Sequence, residues 1–241
     1  MTAGSNLSVA AATASGSTQL LGAQNHGPPP PAPLPVVETF HSIQGEGCHA
    51  GRSAFFIRLA GCSVGCPWCD TKPSWPVTAH PSVAITTLAE QARQGQLAGA
   101  AFTVITGGEP LHHNLDALCH ALDSSPLALP IHLETSGVDP LSGRFDWITL
   151  SPKRHRPPQQ QALAACQELK VVVGERDDLA FAEAMAHAAD QAGRPASAAS
   201  PVLLLQPLWE STMGQELAII HVRQNPRWRL SLQSHKWLGV R

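Results

Sequence analysis

Residues 61–70 read GCSVGCPWCD, which places Cys62, Cys66 and Cys69 within eight residues. Three thiols that close can hold a metal centre. A structural zinc usually takes four protein ligands, and a disulfide takes two thiols. No second Cys-x2-Cys pair follows, so zinc would need a distant fourth ligand, with His41, His49 and His80 as candidates. Iron–sulfur clusters are held by cysteine thiolates, often closely spaced on one loop, and a cubane with three protein ligands keeps one iron open to bind something else. The Cys-x3-Cys-x2-Cys spacing favours the cluster over zinc. Trp68, just before the last cysteine, either shields such a cluster or packs in the core. Cys48, Cys119 and Cys166 are scattered and read as ordinary thiols; the six cysteines do not form the pattern of a small secreted disulfide scaffold.

The chain has 241 residues, room for one sizeable domain or two small ones. Hydrophobic residues make up 43% and charged residues 14%, which suits a folded core, and the net charge of −2 argues against a general polyanion binder. No run of about eighteen apolar residues occurs, so no membrane span is expected. A cytoplasmic protein with a metal site fits this usage of cysteine. Residues 1–33 contain no Lys, Arg, Asp or Glu and carry Pro28–Pro31 in an Ala/Ser/Gly background. They lack the basic region of a secretory signal and the arginines of a transit peptide, and read as a disordered low-complexity extension. The working domain is expected over 34–241.

These cysteines need elements to position them. Segments 34–40 and 53–60 read as strands rich in branched and aromatic residues. Further strands are expected at 101–106, 130–136, 145–150, 168–173, 201–207 and 227–233, and helices at 86–97, 113–123, 178–192 and 212–224. That alternation predicts a parallel sheet covered by helices, whose ligands sit at the carboxyl ends of the strands. Five polar segments marked by Gly or Pro follow strand ends: Gly61 with the cysteines, Gly107-Gly108-Glu109-Pro110, Glu134-Thr135-Ser136-Gly137, Ser151-Pro152-Lys153 and Gln206-Pro207. Each alone could merely end a strand. Together they converge on one rim.

The motif Cys62-x3-Cys66-x-Trp68-Cys69 resembles the signature of the radical S-adenosylmethionine superfamily, and Gly107-Gly108-Glu109-Pro110 resembles its methionine-binding strand end. The set SIQGEGCHAGRSAFFIRLAGC (42–62), CDT (69–71), TGGEP (106–110), ETSG (134–137), SPK (151–153), QP (206–207) and RLSLQSHKWLGVR (229–241) resembles the 7-carboxy-7-deazaguanine synthase family over most of the chain after residue 34. The resemblance implies a partial (β/α) barrel of the radical S-adenosylmethionine type, parallel-stranded and open at one side; the 34–241 stretch is short for a complete barrel of about 250 residues. It implies a lyase that converts 6-carboxy-5,6,7,8-tetrahydropterin to 7-carboxy-7-deazaguanine and ammonia, on the route to the tRNA base queuosine. It also implies one 4Fe-4S cluster per subunit on Cys62, Cys66 and Cys69, S-adenosylmethionine that is regenerated each turnover, Mg²⁺, an electron donor such as flavodoxin or ferredoxin, and a homodimer, with no nucleic-acid or membrane partner.

Carried over residue by residue, the resemblance puts the S-adenosylmethionine site on Gly107, Gly108, Glu109, Ser136, Ser151, Pro152, Lys153, Gln206, Pro207, Leu208 and Trp209. Gly107 and Gly108 are expected to let the backbone approach the methionine amino group, and Glu109 to accept from that ammonium. The substrate residues are Ile43, Gln44, Gly45, Glu46, Arg58, Thr106 and Arg241. Arg58 stands in an otherwise apolar strand, where a charge needs an anion: a substrate carboxylate, or an acidic side chain. Thr71 is the Mg²⁺ ligand by resemblance alone, Asp70 being the more obvious oxygen donor. Members of the family can use the terminal carboxylate near the substrate, some ending in proline; this chain ends in Arg241, and the added cation is a departure. His235 and Lys236 face either the site or solvent. Two alternatives remain: a glycyl-radical activase, which shares the cysteine motif but has no clear use for Gln44-Gly45-Glu46-Gly47 or Arg58, and a zinc-bound nucleic-acid module, which would want a basic face.

Overall fold

Alternating apolar runs and amphipathic segments fold into one mixed sheet with helices packed on one face. The computed structural model describes residues 31–124, 128–195 and 198–241. The extension expected over 1–33 lies, through residue 30, outside the described residues. In chain order the elements are β1 (Leu34–Ile43), β2 (Ser53–Leu59), β3 (Ser82–Val83), α1 (Ile85–Leu97), β4 (Thr103–Gly107), α2 (Asp116–Asp123), β5 (Ile131–Thr135), β6 (Trp147–Leu150), α3 (Gln160–Ala165), β7 (Glu168–Val173), α4 (Arg176–Asp190), β8 (Val202–Pro207), α5 (Thr212–Gln224), β9 (Trp228–Leu230) and α6 (Ser234–Leu238).

The strand order is β3-β1-β2-β4-β5-β6-β7-β8-β9, with β2 and β4 through β9 pairing in parallel and the sheet left open between its two edges. This is the partial barrel. β1 runs antiparallel to β2 and to β3, so the sheet is mixed at its first edge. A strand pattern read along the chain carries no direction, which is why the sequence is silent on this. Two short helices, α3 and α6, were not expected; six and five residues are too few to display a helical period.

Side chains alternate across each strand. Ile57, Ile105, Leu133, Leu150, Leu169 and Leu205 point toward the helices and are buried with them in the main core. α4 meets this layer through Ala182, Ala186 and Ala189, small residues at helical spacing, and its start is fixed by a capping box between Glu175 and Asp178. On the opposite face, Arg58 is level with Thr106, and Glu134 with Thr149. Lys170 shares that face, which carries the polar groups of the candidate site. Below them Phe102, His132, Trp147 and His49 form an aromatic floor, with Phe102 and His132 stacked 4.2 Å apart.

Candidate active site

The five strand-end segments meet at one rim, as parallel-sheet geometry requires. The cysteine loop leaves β2 and is tied down by its neighbours' strand ends. Gly108 N donates to Leu59 O at 2.9 Å and Glu109 N to Gly61 O at 2.8 Å. His112 Nε2 accepts from Ser63 N at 3.0 Å, while its Nδ1 is held by Asp139. Arg156 Nη1 donates to Ser63 O at 2.7 Å, and the His155 ring lies 3.1 Å from Val64 O. The loop backbone is thus gripped on both sides of Cys62.

A cavity of about 490 Å³ opens above it. Cys62, Cys66 and Cys69 line it together with Gly107, Gly108, Ser136, Ser151, Lys153, Gln206, Pro207, Leu208 and Trp209. Lys153 Nζ donates to Ser151 Oγ at 2.8 Å. Trp68 also lines this cavity and is 38% exposed, so it does not pack in the core. A second cavity of about 380 Å³ is lined by Ile43, Gln44, Gly45, Glu46, Arg58, Thr106 and Arg241, and by Asp70, Thr71, His235 and Lys236. The two share Glu46, Asp70, Thr106, Gly107, Glu134, Gln233 and Lys236, so they are compartments of one site.

Glu109, Gly107, Gly108 and Pro152 have duties within the protein itself. Glu109 lines neither cavity and is 2% exposed. Its carboxylate accepts from Leu111 N, Thr135 Oγ1, Ser136 N and Ser136 Oγ. These bonds tie the segment after β4 to the end of β5. Gly107 and Gly108 are needed by the protein itself: a Cβ on Gly107 would lie 2.1 Å from Leu59 O, and one on Gly108 would lie 2.4 Å from Gly61 O and 2.9 Å from Cys62 Cβ. Their missing side chains let β4 clamp the cysteine loop. Pro152 is buried and outside both cavities.

Comparison with known proteins gives the same assembly a family. No family model matches the chain. The 7-carboxy-7-deazaguanine synthase of Prochlorococcus marinus is 52% identical over 220 residues, spanning 86% of this chain and 98% of that protein, and the synthase of the same name from Synechocystis is 49% identical over 207 residues, spanning 86% and 93%. The chain belongs to the 7-carboxy-7-deazaguanine synthase family. The crystal structure of QueE from Escherichia coli agrees, with a TM-score of 0.68 at 32% identity over 84% of this chain and 94% of that one. Membership of this synthase family brings radical S-adenosylmethionine chemistry, and with it a 4Fe-4S cluster and S-adenosylmethionine as cofactors.

The donor set fits that cluster. The three cysteines are free thiols that border one cavity, and among the described residues no three His, Cys, Asp or Glu side chains gather as ligands of a single ion. A cubane spreads its thiolates over separate irons. Burial pushes the Cys62 and Cys66 thiols up from their ordinary values. Cys119 and Cys166 are buried in the core, and Cys48 is exposed.

In this synthase-family chain the polar junction between the compartments also contains Lys170 and Gln233, neither of them among the expected site residues. Lys170 pairs with Glu46, and Gln233 Nε2 donates to Glu46 Oε1 at 2.8 Å. Burial alone would push the Glu46 carboxyl up, but the Lys170 ammonium and the Gln233 and Gln206 donors bring it down to about 2. Glu134 accepts from Gln44 Nε2 at 2.8 Å and Thr106 Oγ1 at 3.0 Å. Lys236 pairs with Asp70 and lies 5.0 Å above the Trp209 ring. Lys170 carried a readable signal, a cation inside the apolar run ELKVVV, the same signal as Arg58. Arg58 meets an acidic side chain: its Nε is 3.2 Å from Glu38 Oε1.

The C-terminal tail completes the second compartment. Ser234 N donates to Gly45 O at 2.9 Å, and a Cβ on Gly45 would lie 2.2 Å from the His235 ring. His235 and Lys236 therefore face the site. No helix among the described residues is long and apolar enough to cross a membrane.

Proposed function

We propose that this chain is a ring-contracting lyase that converts 6-carboxy-5,6,7,8-tetrahydropterin to 7-carboxy-7-deazaguanine and ammonia, with the cluster and S-adenosylmethionine in the first compartment and the pterin in the second. One observation carries the reading: a cavity bordered by three closely spaced thiols opens, across Glu46, Thr106 and Glu134, into one lined by a half-buried arginine. When bound, the cluster on Cys62, Cys66 and Cys69 and S-adenosylmethionine would supply one-electron radical chemistry for hydrogen-atom abstraction.

Cys62, Cys66 and Cys69 would hold the cluster. Lys153, Ser151, Ser136 and the Gln206–Trp209 turn line the space left for the cofactor's nucleoside and methionine parts, with Lys153 suited to a carboxylate. The planar Arg58 guanidinium suits the pterin carboxylate. Gln44, Glu46 and Glu134 offer amide and carboxylate groups to the polar edge of the ring, and Ile43 an apolar contact. Their mutual hydrogen bonds hold these groups before the substrate arrives, so little ordering remains to be done on binding.

Mg²⁺ prefers hard oxygen donors and few protein ligands. Thr71 lines the second compartment beside Cys69, its Oγ1 3.5 Å from the thiol, whereas Asp70 is engaged by Lys236. That division supports Thr71 as the metal's protein ligand. A one-electron donor of the flavodoxin or ferredoxin type and a second copy of the chain complete the partners carried over from the family.

Anaerobic incubation of the cluster-loaded protein with S-adenosylmethionine, Mg²⁺, reductant and the carboxylated pterin, read for 5′-deoxyadenosine and ammonia, tests the reading. Ammonia release that needs the pterin and disappears in Cys66→Ala is the expected result. Cofactor cleavage with no ammonia would dismiss the substrate and bring the activase alternative forward.

A further inference from the structure

Glu38 lies between two guanidinium groups. Its Oε1 is 3.2 Å from Arg58 Nε, and its Oε2 accepts from Arg241 Nη1. On the same strand, Ser42 Oγ donates to a carboxyl-terminal oxygen of Arg241 at 2.5 Å. The last residue is thus strapped to β1 at two points, and both Arg58 and Arg241 line the second compartment while Glu38 does not. The β1–β2 register sets Glu38 opposite Arg58, and the Phe40 ring, 5.6 Å from the Arg58 guanidinium carbon, limits where that group can turn. Arg58 Nε is buried without a hydrogen-bond partner, so its contact with Glu38 is an ion pair only.

The charges decide what this arrangement does. The Glu38 carboxylate, the two guanidiniums and the Arg241 carboxylate held at Ser42 together balance to zero at the end of the compartment where Arg58 stands. Remove the Arg241 cation and the group carries a net negative charge. Glu38 would then be free to swing both oxygens onto Arg58 and to repel any second carboxylate nearby. We propose that Arg241 is a positioning residue for substrate selection: it holds the Glu38 carboxylate so that Arg58 keeps its charge for the carboxylate of the incoming pterin. This deepens the proposed function and rests on it. It also gives the Arg241 side chain a use.

The test is equilibrium binding of 6-carboxypterin, and of pterin without the carboxylate, to the cluster-loaded protein with S-adenosylmethionine present, followed by ligand fluorescence. Arg241→Gln preserves chain length and the terminal carboxylate and deletes the cation. It is expected to weaken 6-carboxypterin about threefold while leaving unsubstituted pterin unchanged, the size of effect an exposed ion pair gives, the Arg241 side chain being 71% exposed. Arg241→Lys restores binding, and in a Glu38→Gln background Arg241→Gln has no further effect. In turnover the loss lies in KM, with kcat unchanged. Equal weakening of both ligands, or a full additional loss in the Glu38→Gln background, overturns the proposal and leaves the tail a merely structural strap. Failure of the wild-type protein to bind 6-carboxypterin at all overturns the substrate assignment and this proposal with it, an outcome distinct from the other two.

Discussion

Lys170 and Glu46 form an ion pair at the junction of the two compartments, with side chains only 6% and 17% exposed. Removing one partner of such a pair strands the other charge in a poorly solvated place, which costs about 3–5 kcal/mol, whereas replacing both is far less costly. Lys170→Met is therefore expected to lower unfolding free energy by about that amount, and Lys170→Met/Glu46→Gln to recover most of it. Urea unfolding of the three proteins checks this. The pH dependence has a definite sign. Glu46 is held at about 2 in the folded chain against an ordinary 4.5, so its contribution is full above 4.5 and is lost as pH falls from there toward 2. The double variant should lack that part of the acid loss.

Gly108 and Cys62 define a second prediction. With a Cβ 2.4 Å from Gly61 O and 2.9 Å from Cys62 Cβ, Gly108→Ala must push the cysteine loop outward. Overpacking of this kind costs about 1–3 kcal/mol. Iron and sulfide analysis after anaerobic reconstitution should show reduced cluster occupancy in Gly108→Ala. The control is Gly99→Ala, where no atom lies within 4 Å of the added carbon although φ is +105°, so it reports backbone strain without loop displacement.

His112 and Asp139 form the anchor of that loop. The imidazole accepts from Ser63 N only while Nε2 is unprotonated, and Asp139 holds the proton on Nδ1. His112→Ala removes the acceptor, and hydrogen exchange of the Ser63 amide should accelerate while amides of α4 are unchanged. Protection at Ser63 equal to wild type would show that Arg156 and His155 suffice.

His132 reports the aromatic floor. Burial, with His49 and Arg52 adding to it, lowers its pKa to about 4 from an ordinary 6.5. The folded chain thus keeps His132 neutral where the unfolded chain protonates it. Its contribution is full above 6.5 and is lost as pH falls to about 4, on the order of 3 kcal/mol in all. His132→Phe, stacked on Phe102, should flatten the stability profile between those pH values. Denaturant midpoints at pH 5 and pH 7 measure it.

Much of this site was legible in the chain because glycine, proline and polar residues punctuate apolar strands, and a parallel sheet collects its strand ends on one rim. The cysteine loop, the Ser136 and Ser151 segments and the Gln206–Pro207 turn were found that way. Arg58 stood out because a charge in an apolar strand needs a partner. Three kinds of information were not legible. The direction of β1 leaves no trace in side-chain alternation. The duty of Gly107 and Gly108 depends on what lies opposite them, Leu59 and Gly61, from a strand some fifty residues earlier. Glu109 looks like a solvent carboxylate until the fold surrounds it with four donors. Pairings such as Gln233 with Glu46, or Arg241 with Glu38, join positions that only the closed tail brings together.

The joined compartments are expected to carry one complete reaction. The measurement that tests it most directly is the amount of 7-carboxy-7-deazaguanine, by mass spectrometry, formed per molecule of S-adenosylmethionine supplied to the reconstituted protein with the carboxylated tetrahydropterin. Product well in excess of the cofactor is expected if S-adenosylmethionine is regenerated as the family resemblance implies, and none with Cys66→Ala. Absence of that product while 5′-deoxyadenosine accumulates would contradict this expectation.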